Sequence, residues 1–527
     1  MTLRTPILIT LLLAAFVVGL DTTLVNVALP DLSRELGAST ERLQWVVDAF
    51  NLVFAAFLLS AGSLSDRLGR RRMLIVGLAL FGTASLIGAA ATSSGELIAV
   101  RAVMGLGAAL AFPATLSLIL DAFPERNERA QAIGLWGAVA GVAIAMGPIV
   151  GGWLLSQFTW PSIFIAMAPV AYGAIGCALA FIPTKGSQSG RPLDVGGLVT
   201  SALAMAALVF TIIEAPEHGW SSARTLIGFA TAAVLGGMFV AREQRSHTPM
   251  IDLRIFRNAR FSAASVAVTI VFFSLFGFIF LSTQYFQFIR GYSALGTGVR
   301  LLPFAVSVAV GSIVGTNLAV RVGTKQIVTG GLLLSAAFYA WDTTTTEHIS
   351  YAIISLQMVL GGLGMGLTSA PATESIMGAV SSTTSGVGSA VNDTTRLVGG
   401  TLGVAVIGSV FSSLDRHRIT DQLGHTALPH ASVDAATQSV QGGLAVARQL
   451  SSGGSPLGQV VHDVTTNAFL HGLHAGCVVA AGVAVVGAIV TAIALPTQPS
   501  QPSPTALDQP TSIAPDRRPE STGVTHV

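Results

Sequence analysis

The chain has 527 residues, 51% of them hydrophobic and only 10% charged, with a formal charge of +2 and a mean hydropathy of +0.69. An average soluble domain is about 25% charged, so the composition excludes an ordinary soluble protein and fits a polytopic membrane protein. The small net charge leaves no basic face for nucleic acid.

Fourteen apolar stretches of about 20 residues, long enough to cross a ~30 Å hydrocarbon core, are predicted at 7–29, 44–64, 73–92, 95–118, 130–155, 161–182, 194–213, 222–241, 261–283, 297–319, 326–342, 350–370, 386–412 and 465–495. Alternate loops carry fifteen basic residues running from Arg67 to Lys325, with Lys185 and Arg191 among them. The opposite loops and helix entries carry five: Arg34, Arg42, Arg224, Arg290 and Arg300. By the positive-inside rule both termini are expected in the cytoplasm, which requires an even number of spans.

The first span contains Asp21. A central aspartate costs roughly 2.5 to 3.5 kcal/mol on insertion scales, so ionisable groups at that depth generally face a cavity and serve ion or substrate movement. The rival reading is local hydrogen bonding to Thr22 and Thr23. Asn26 also interrupts this span and no small-residue cleavage pattern ends it, so it reads as a retained helix rather than a signal peptide. In the second span Asp48 and Asn51 share a face by their i, i+3 spacing.

The turn after the second span runs Gly62, Ser63, Leu64, Ser65, Asp66, Arg67, Leu68, Gly69, Arg70, Arg71, Arg72. The glycines permit close helix approach and a tight reversal. The arginines suit the cytoplasmic lipid face, and Asp66 is placed to pair with them or with a helix N-terminus. A topogenic turn explains the arginines but not the Gly, Asp and Gly spacing.

The fourth span buries Arg101, which reads either as a functional charge or as a side chain snorkelling to an interface. The fifth carries Gly147, Pro148, Gly151 and Gly152, read as either a functional element or a small-residue packing face. The two cysteines, Cys177 and Cys477, are far apart in apolar segments and read as core residues. Segment 242–260, with Arg254, Phe256 and Arg257, reads as an interfacial amphipathic stretch or a solvated linker. Glu374 is placed at the inner end of the twelfth span. In the thirteenth, Asp393 lies three residues before Arg396, a spacing for an intrahelical ion pair, or serves transport from a cavity. Trp45, Phe112, Trp136, Phe276, Phe280, Tyr285 and Phe288 are candidates to line an apolar pocket, although such residues also simply pack. His471 and His474 lack a third metal ligand in view. Residues 413–464 are predicted as an outward loop with a surface helix within 433–450, and residues 496–527, dense in Pro, Ser and Thr, as a disordered tail.

Gly62 to Arg71 matches, at each defining position, the hallmark motif of the major facilitator superfamily, and the chain resembles that family over residues 7–495. A decayed copy stands at the equivalent turn of the second half, with Thr316, Leu318, Val320, Arg321, Gly323 and Lys325; Val320 replaces the aspartate. Leu20 to Pro30, with Asp21 inside it, then Arg101, Gly105 and Gly107, and then Gly147, Pro148, Gly151 and Gly152 resemble the helix 1, helix 4 and helix 5 signatures of the fourteen-helix drug:proton antiporter branch. Ala143 departs from the last of these, where the branch often has Gly. The resemblance implies an all-α integral membrane fold of two six-helix bundles plus two inserted helices around a central cavity. The expected division is 1–182 for the first bundle, 183–258 for the inserted pair and linker, 259–495 for the second bundle with its outward loop, and 496–527 for the tail.

The resemblance ties Arg101 to proton coupling and the Gly147 motif to export. An acidic residue at the place of Asp393 is associated with organic cations. The only lysines, Lys185 and Lys325, each follow Thr, so no G-K-S/T phosphate loop exists, and H-E-x-x-H and G-x-S-x-G are absent as well. The expectation is a secondary transporter, not an enzyme, that exports drugs, antibiotics or similar amphipathic molecules across the plasma membrane by alternating access. Its energy comes from the proton gradient without a cofactor, and its partners are protons, substrate and lipid, with the chain acting as a monomer. A dedicated exporter of one natural product is the alternative within transport, and a non-transporting sensor or scaffold the alternative outside it.

Overall fold

A computed structural model describes residues 4–36, 40–184, 194–246, 253–381, 384–424, 428–438, 440–452 and 455–496. Nearly all of them are helical and none forms a strand. Lys185, Arg191 and the expected tail beyond Pro496 lie outside the described residues.

The first bundle comprises α1 (Arg4–Leu36), α2 (Thr40–Leu68), α3 (Arg70–Ala89), α4 (Ser94–Ala122), α5 (Arg126–Gln157) and α6 (Pro161–Phe181). Their inward faces make one apolar core, which includes Leu24, Phe50, Phe81, Met104 and Trp136. Two more helices, α7 (Val195–His218) and α8 (Ala223–Arg245), form a hairpin. Helix α7 packs on α2 and on α14, whereas α8 packs chiefly on α7. Leu226, Ile227, Val234 and Met238 of α8 are therefore left facing outward, as a lipid-facing helix requires.

After a 3₁₀ turn at Leu253–Arg257, the second bundle comprises α9 (Ala259–Gln284), a π-helical turn (Tyr285–Ile289), α10 (Ala294–Arg300), α11 (Leu302–Val322), α12 (Thr324–Asp342), α13 (Tyr351–Gly378), α14 (Ser385–Leu423) and, later, α17 (Leu457–Ala494). Its separate core includes Phe261, Phe278, Phe338, Met358 and Phe469.

Thirteen spans among the described residues are long and apolar enough to cross a membrane, α10 and α11 counting as one. The predicted span missing from these is the eleventh, 326–342, which is α12. It packs between α13 and α17 as a bundle member, but its 19 residues include Thr324, Lys325 and Gln326 at one end and Asp342 at the other, which dilute its hydropathy.

The expected outward loop 413–464 is mostly helical. Helices α14 and α17 have 39 and 38 residues, so each runs about 57 Å at 1.5 Å per residue, far beyond a bilayer core. Between them lie α15 (His430–Gln438) and α16 (Val440–Ser452). Ile419, Leu423, Ala436, Ala447, Val461 and Ala468 give this cap its own apolar cluster. The polar composition of the segment hid small apolar stripes that suffice once two long helices provide a platform.

The two halves repeat the same turn. Gly69 and Gly323 both have positive φ, 101° and 114°, and precede α3 and α12. A side chain would be strained there, so both copies of the motif keep glycine even where the second has lost its aspartate.

Candidate functional site

A cavity of about 2310 Å³ lies between the bundles. Helix α1 contributes Thr22, Thr23 and Asn26, α2 contributes Asp48 and Asn51, and α5 contributes Gly141 and Pro148. Phe276 and Phe280 from α9, Gln287 and Phe288 from the π-helical turn, and Phe304 from α11 face them, and Trp220 closes one side. Helix α14 lines the wall from Leu397 to Asp421. Every contribution from α2 lies in its first half, whereas Asp66 is near its end, so the cavity opens away from the arginine-rich turns. Among the described residues the lining contains Asp48, Asp421 and His417 but no Lys or Arg. Its apolar walls with acidic groups favour amphipathic and cationic ligands over anions.

Of the predicted site residues, Asp48 and Asn51 are in the wall; Asp21, Arg101 and Asp393 are not. The expectation that Asp21 and Arg101 face the cavity is corrected. Arg101 Nη1 donates to Asp21 Oδ2 at 2.6 Å, and both residues are 1% exposed. Arg101 Nε donates to Val46 O at 3.0 Å, and the guanidinium lies 4.4 Å from the Phe50 ring centroid. The high cost of burial fixed that these charges need a reason, but a partner satisfies the cost as well as a cavity does. Thr22 and Thr23 do not bond Asp21: their hydroxyls donate to Gly19 O and Ile144 O. The pair still lies beside the wall, because Thr22 follows Asp21 and Val47 follows Val46.

Asp393 lies one turn below Leu397, the first wall residue of α14, and is 3% exposed. No ion pair to Arg396 within 4.0 Å is present among the described residues. Instead a relay joins them: Arg396 Nη2 donates to Thr373 Oγ1 (3.0 Å), Thr373 Oγ1 to Asn392 Oδ1 (3.0 Å), and Asn392 Nδ2 to Asp393 Oδ1 (3.1 Å). The Arg396 guanidinium sits 4.6 Å from the Trp136 centroid and 4.9 Å from that of Phe272, so a cation from one bundle is seated on an aromatic of the other beneath the cavity floor.

The arginine-rich end is shut by two networks. At the first, Gly386 N and Val387 N donate to the Asp66 carboxylate at 2.9 and 3.2 Å. Asp66 thus caps the N-terminus of α14, the contact anticipated from its place in the turn. Arg70 bonds Asp66 at 2.9 Å and Asp121 at 2.5 Å. A Cβ on Gly62 would lie 2.5 Å from Gly386 O, so only glycine lets α2 and α14 meet here. Arg67 is buried, and Arg71 bonds Thr184 and Leu179 O at the end of α6.

At the second network Glu374 of α13 meets Arg260 of α9 at 3.2 Å, and Arg126 and Arg129 of α5 at 3.9 and 3.8 Å. Glu374 is therefore a link between bundles rather than a wall residue.

Gly147 and Gly151 pack α5 on α1. A Cβ at Gly147 would overlap Thr23 Oγ1, and one at Gly151 would lie 3.2 Å from Leu24. Gly152 faces Leu295 of α10, and Pro148 lines the cavity. Ala143, the departure from the motif, packs against Gly19. Among the expected aromatics, Phe276, Phe280 and Phe288 line the cavity. Trp45, Phe112, Trp136 and Tyr285 pack elsewhere, with Trp45 stacked on Phe210 and Tyr285 bonded to Thr346 O. His474 bonds Thr345 O, and no group of three metal-type ligands occurs among the described residues. Sequence reading missed Gln284 and Gln287, a polar pair at i, i+3 that was a usable signal. It also missed His417 and Asp421, which fell in the presumed loop.

The sequence profile of the Major Facilitator Superfamily matches residues 11–404. The chain is 36% identical over 407 residues to the multidrug resistance protein Stp of Mycobacterium tuberculosis, covering 76% of this chain and 74% of that protein. It is 32% identical over 518 residues to the tetracenomycin C resistance and export protein of Streptomyces glaucescens, covering 97% and 95%. Among solved structures, a bacterial homologue of the human lysosomal transporter Spinster, in an inward-facing and unoccupied conformation, superposes with a TM-score of 0.58 at 18% identity, covering 93% and 98%.

Proposed function

Because the chain belongs to the Major Facilitator Superfamily, we propose that this multi-pass membrane transporter exports amphipathic drugs and antibiotics, lipophilic cations among them, across the plasma membrane in exchange for protons. The observation that carries the reading is the apolar, acid-bearing cavity, open at one end and shut at the arginine-rich end. Relatives named for multidrug resistance and for antibiotic resistance and export support it. At about 2310 Å³ the cavity exceeds the ~300–1,000 Å³ of a typical small-molecule pocket, which favours a broad range over one dedicated product.

In this reading the arginine-rich end is cytoplasmic, both termini are inside, and the conformation described is the outward-open one that releases substrate. The chain works as a monomer and needs no cofactor. A proton reaching Asp21 cancels the charge that holds Arg101. Arg101 then keeps its bond to Val46 O and its seat over the Phe50 ring, and Val46 precedes the wall residues Val47 and Asp48. Protonation and substrate release are thereby joined through one guanidinium. Closing of the outer end and parting of the Asp66 and Glu374 networks complete alternating access.

The test is a dye-efflux and susceptibility panel in an efflux-deficient host carrying the protein, with and without a protonophore. Protection against several unrelated amphipathic compounds that collapses with the protonophore supports the reading. Protection confined to one compound favours the dedicated exporter, and no protection against any contradicts export.

A further inference from the structure

We propose that Arg126, Arg129 and Arg260 form a phosphate-binding site that staples the two bundles at the arginine-rich end, its ligand being a phosphate carried by an anionic lipid headgroup or free in solution. Three guanidinium groups surround a single carboxylate, Glu374, which leaves two positive charges in excess. Among the described residues these arginines have no other ion-pair partner, and the nearby Glu128 is engaged by Arg4.

Much of the hydrogen-bonding capacity is also unspent, beyond Arg260 Nη2 to Glu374 at 3.2 Å and Arg129 Nη1 to Pro124 O at 3.4 Å. At 3.9 and 3.8 Å, Arg126 and Arg129 attract Glu374 but do not hydrogen-bond to it. The Nε atoms of all three arginines and Nη1 of Arg260 are buried without a hydrogen-bond partner. Arg260 is only 6% exposed. Burying such donors without partners is costly, and an oxyanion is the ligand that relieves it. Phosphate offers several acceptor oxygens and matches the planar fork of arginine.

The local backbone adds to the preference. Arg126 and Arg129 stand in the first turn of α5, whose N-cap residue Glu125 makes no side-chain cap, so the positive end of a 32-residue helix points at the same place. The site is reachable, since the Arg126 and Arg129 side chains are 33% and 19% exposed. Beside it the 3₁₀ turn Leu253–Arg257 presents Phe256, 45% exposed, together with Arg257, a pairing that suits the headgroup layer. Two of the arginines belong to α5 and the third to α9, so a bound phosphate holds the two bundles together at this end.

The experiment uses the purified full chain. Native mass spectrometry after reconstitution in phosphatidylcholine, with and without phosphatidylglycerol, reads retained lipid. Thermal stability in detergent, with inorganic phosphate against chloride, reads the free ion. The double variant Arg126→Gln/Arg129→Gln keeps the Arg260–Glu374 pair. Retention of phosphatidylglycerol that falls roughly tenfold in the variant, the loss of about 1.4 kcal/mol, identifies the lipid source. Stabilisation by phosphate that vanishes in the variant, without lipid preference, identifies the free ion. If the variant does not fold, titration of the wild-type protein with short-chain phosphatidylglycerol against short-chain phosphatidylcholine gives the same decision. Equal responses to both lipids and none to phosphate overturn the proposal.

Discussion

Asp48 places a carboxylate in the wall of a largely apolar cavity, where a cation is attracted far more strongly than in water. Asp48→Asn should therefore raise the KM for lipophilic cations about tenfold, equivalent to ~1.4 kcal/mol, and leave neutral substrates within twofold, as read by dye transport in vesicles. Asp393→Asn should behave differently. Asp393 sits below the floor in the relay to Arg396, so both substrate classes should fall together; a loss confined to cations would place it in the binding path. Asp21→Asn and Arg101→Ala should each abolish gradient-driven transport. Both break a buried pair, which typically costs about 3–5 kcal/mol, but Asn still accepts a hydrogen bond from Arg101 whereas Ala also removes one of the largest fully buried side chains, so Arg101→Ala loses more stability. A markedly lower melting temperature for Arg101→Ala than for Asp21→Asn checks this. Depth alone singled out Asp21 and Arg101 as charges that need a reason, but their pairing joins residues 80 apart in sequence, which span-by-span reading does not reach. Asp48 was visible as a face with Asn51, yet nothing in the sequence ranked it above the deeper charges.

At the scale of elements, the contact between the Asp66 turn and α14 governs the closed end. A carboxylate at a helix N-terminus contributes about 0.3–1 kcal/mol, so Asp66→Asn should move the equilibrium two- to fivefold toward opening at the arginine-rich end. Accessibility labelling of engineered cysteines on either side reads this, and an unchanged distribution would reduce the turn to a topogenic role. This element was legible because glycine at positive φ and a carboxylate at fixed spacing leave few geometries. The inserted hairpin has a latch of its own. Asp194 accepts from Gly197 N and from Arg242 Nη2 at 2.9 and 2.8 Å. Burial pushes its carboxyl up, but the Gly197 amide and the Arg242 guanidinium outweigh that and hold it below the usual carboxylate range. A depressed folded-state pKa stabilises above the unfolded value and is lost as pH falls through the folded one. The difference in melting temperature between wild type and Asp194→Asn should thus stay constant near neutrality and shrink only below pH of about 4. A difference that changes between pH 6 and 8 would contradict the assignment. The outer extensions of α14 and α17 were not legible, since hydropathy marks where a helix enters lipid and not where it stops.

For the whole molecule, the two-bundle plan was implied by the family resemblance that the Gly62–Arg71 motif and its decayed copy carry, while the state of the cavity was not. That state depends on contacts between residues hundreds of positions apart, such as Asp66 with Gly386 and Arg129 with Glu374. These contacts shut one end, the cavity opens at the other, and the Asp21–Arg101 pair lies between them next to the wall. In the proposed function this arrangement converts a proton gradient into substrate movement. The most direct measurement is dye transport by the purified protein in proteoliposomes with an imposed pH gradient, wild type beside Asp21→Asn. Wild type should accumulate dye against its gradient with the sign of the imposed pH difference, and Asp21→Asn should show only downhill exchange; wild-type transport indifferent to the pH gradient, or undiminished uphill transport in the variant, would rule out proton coupling through this pair.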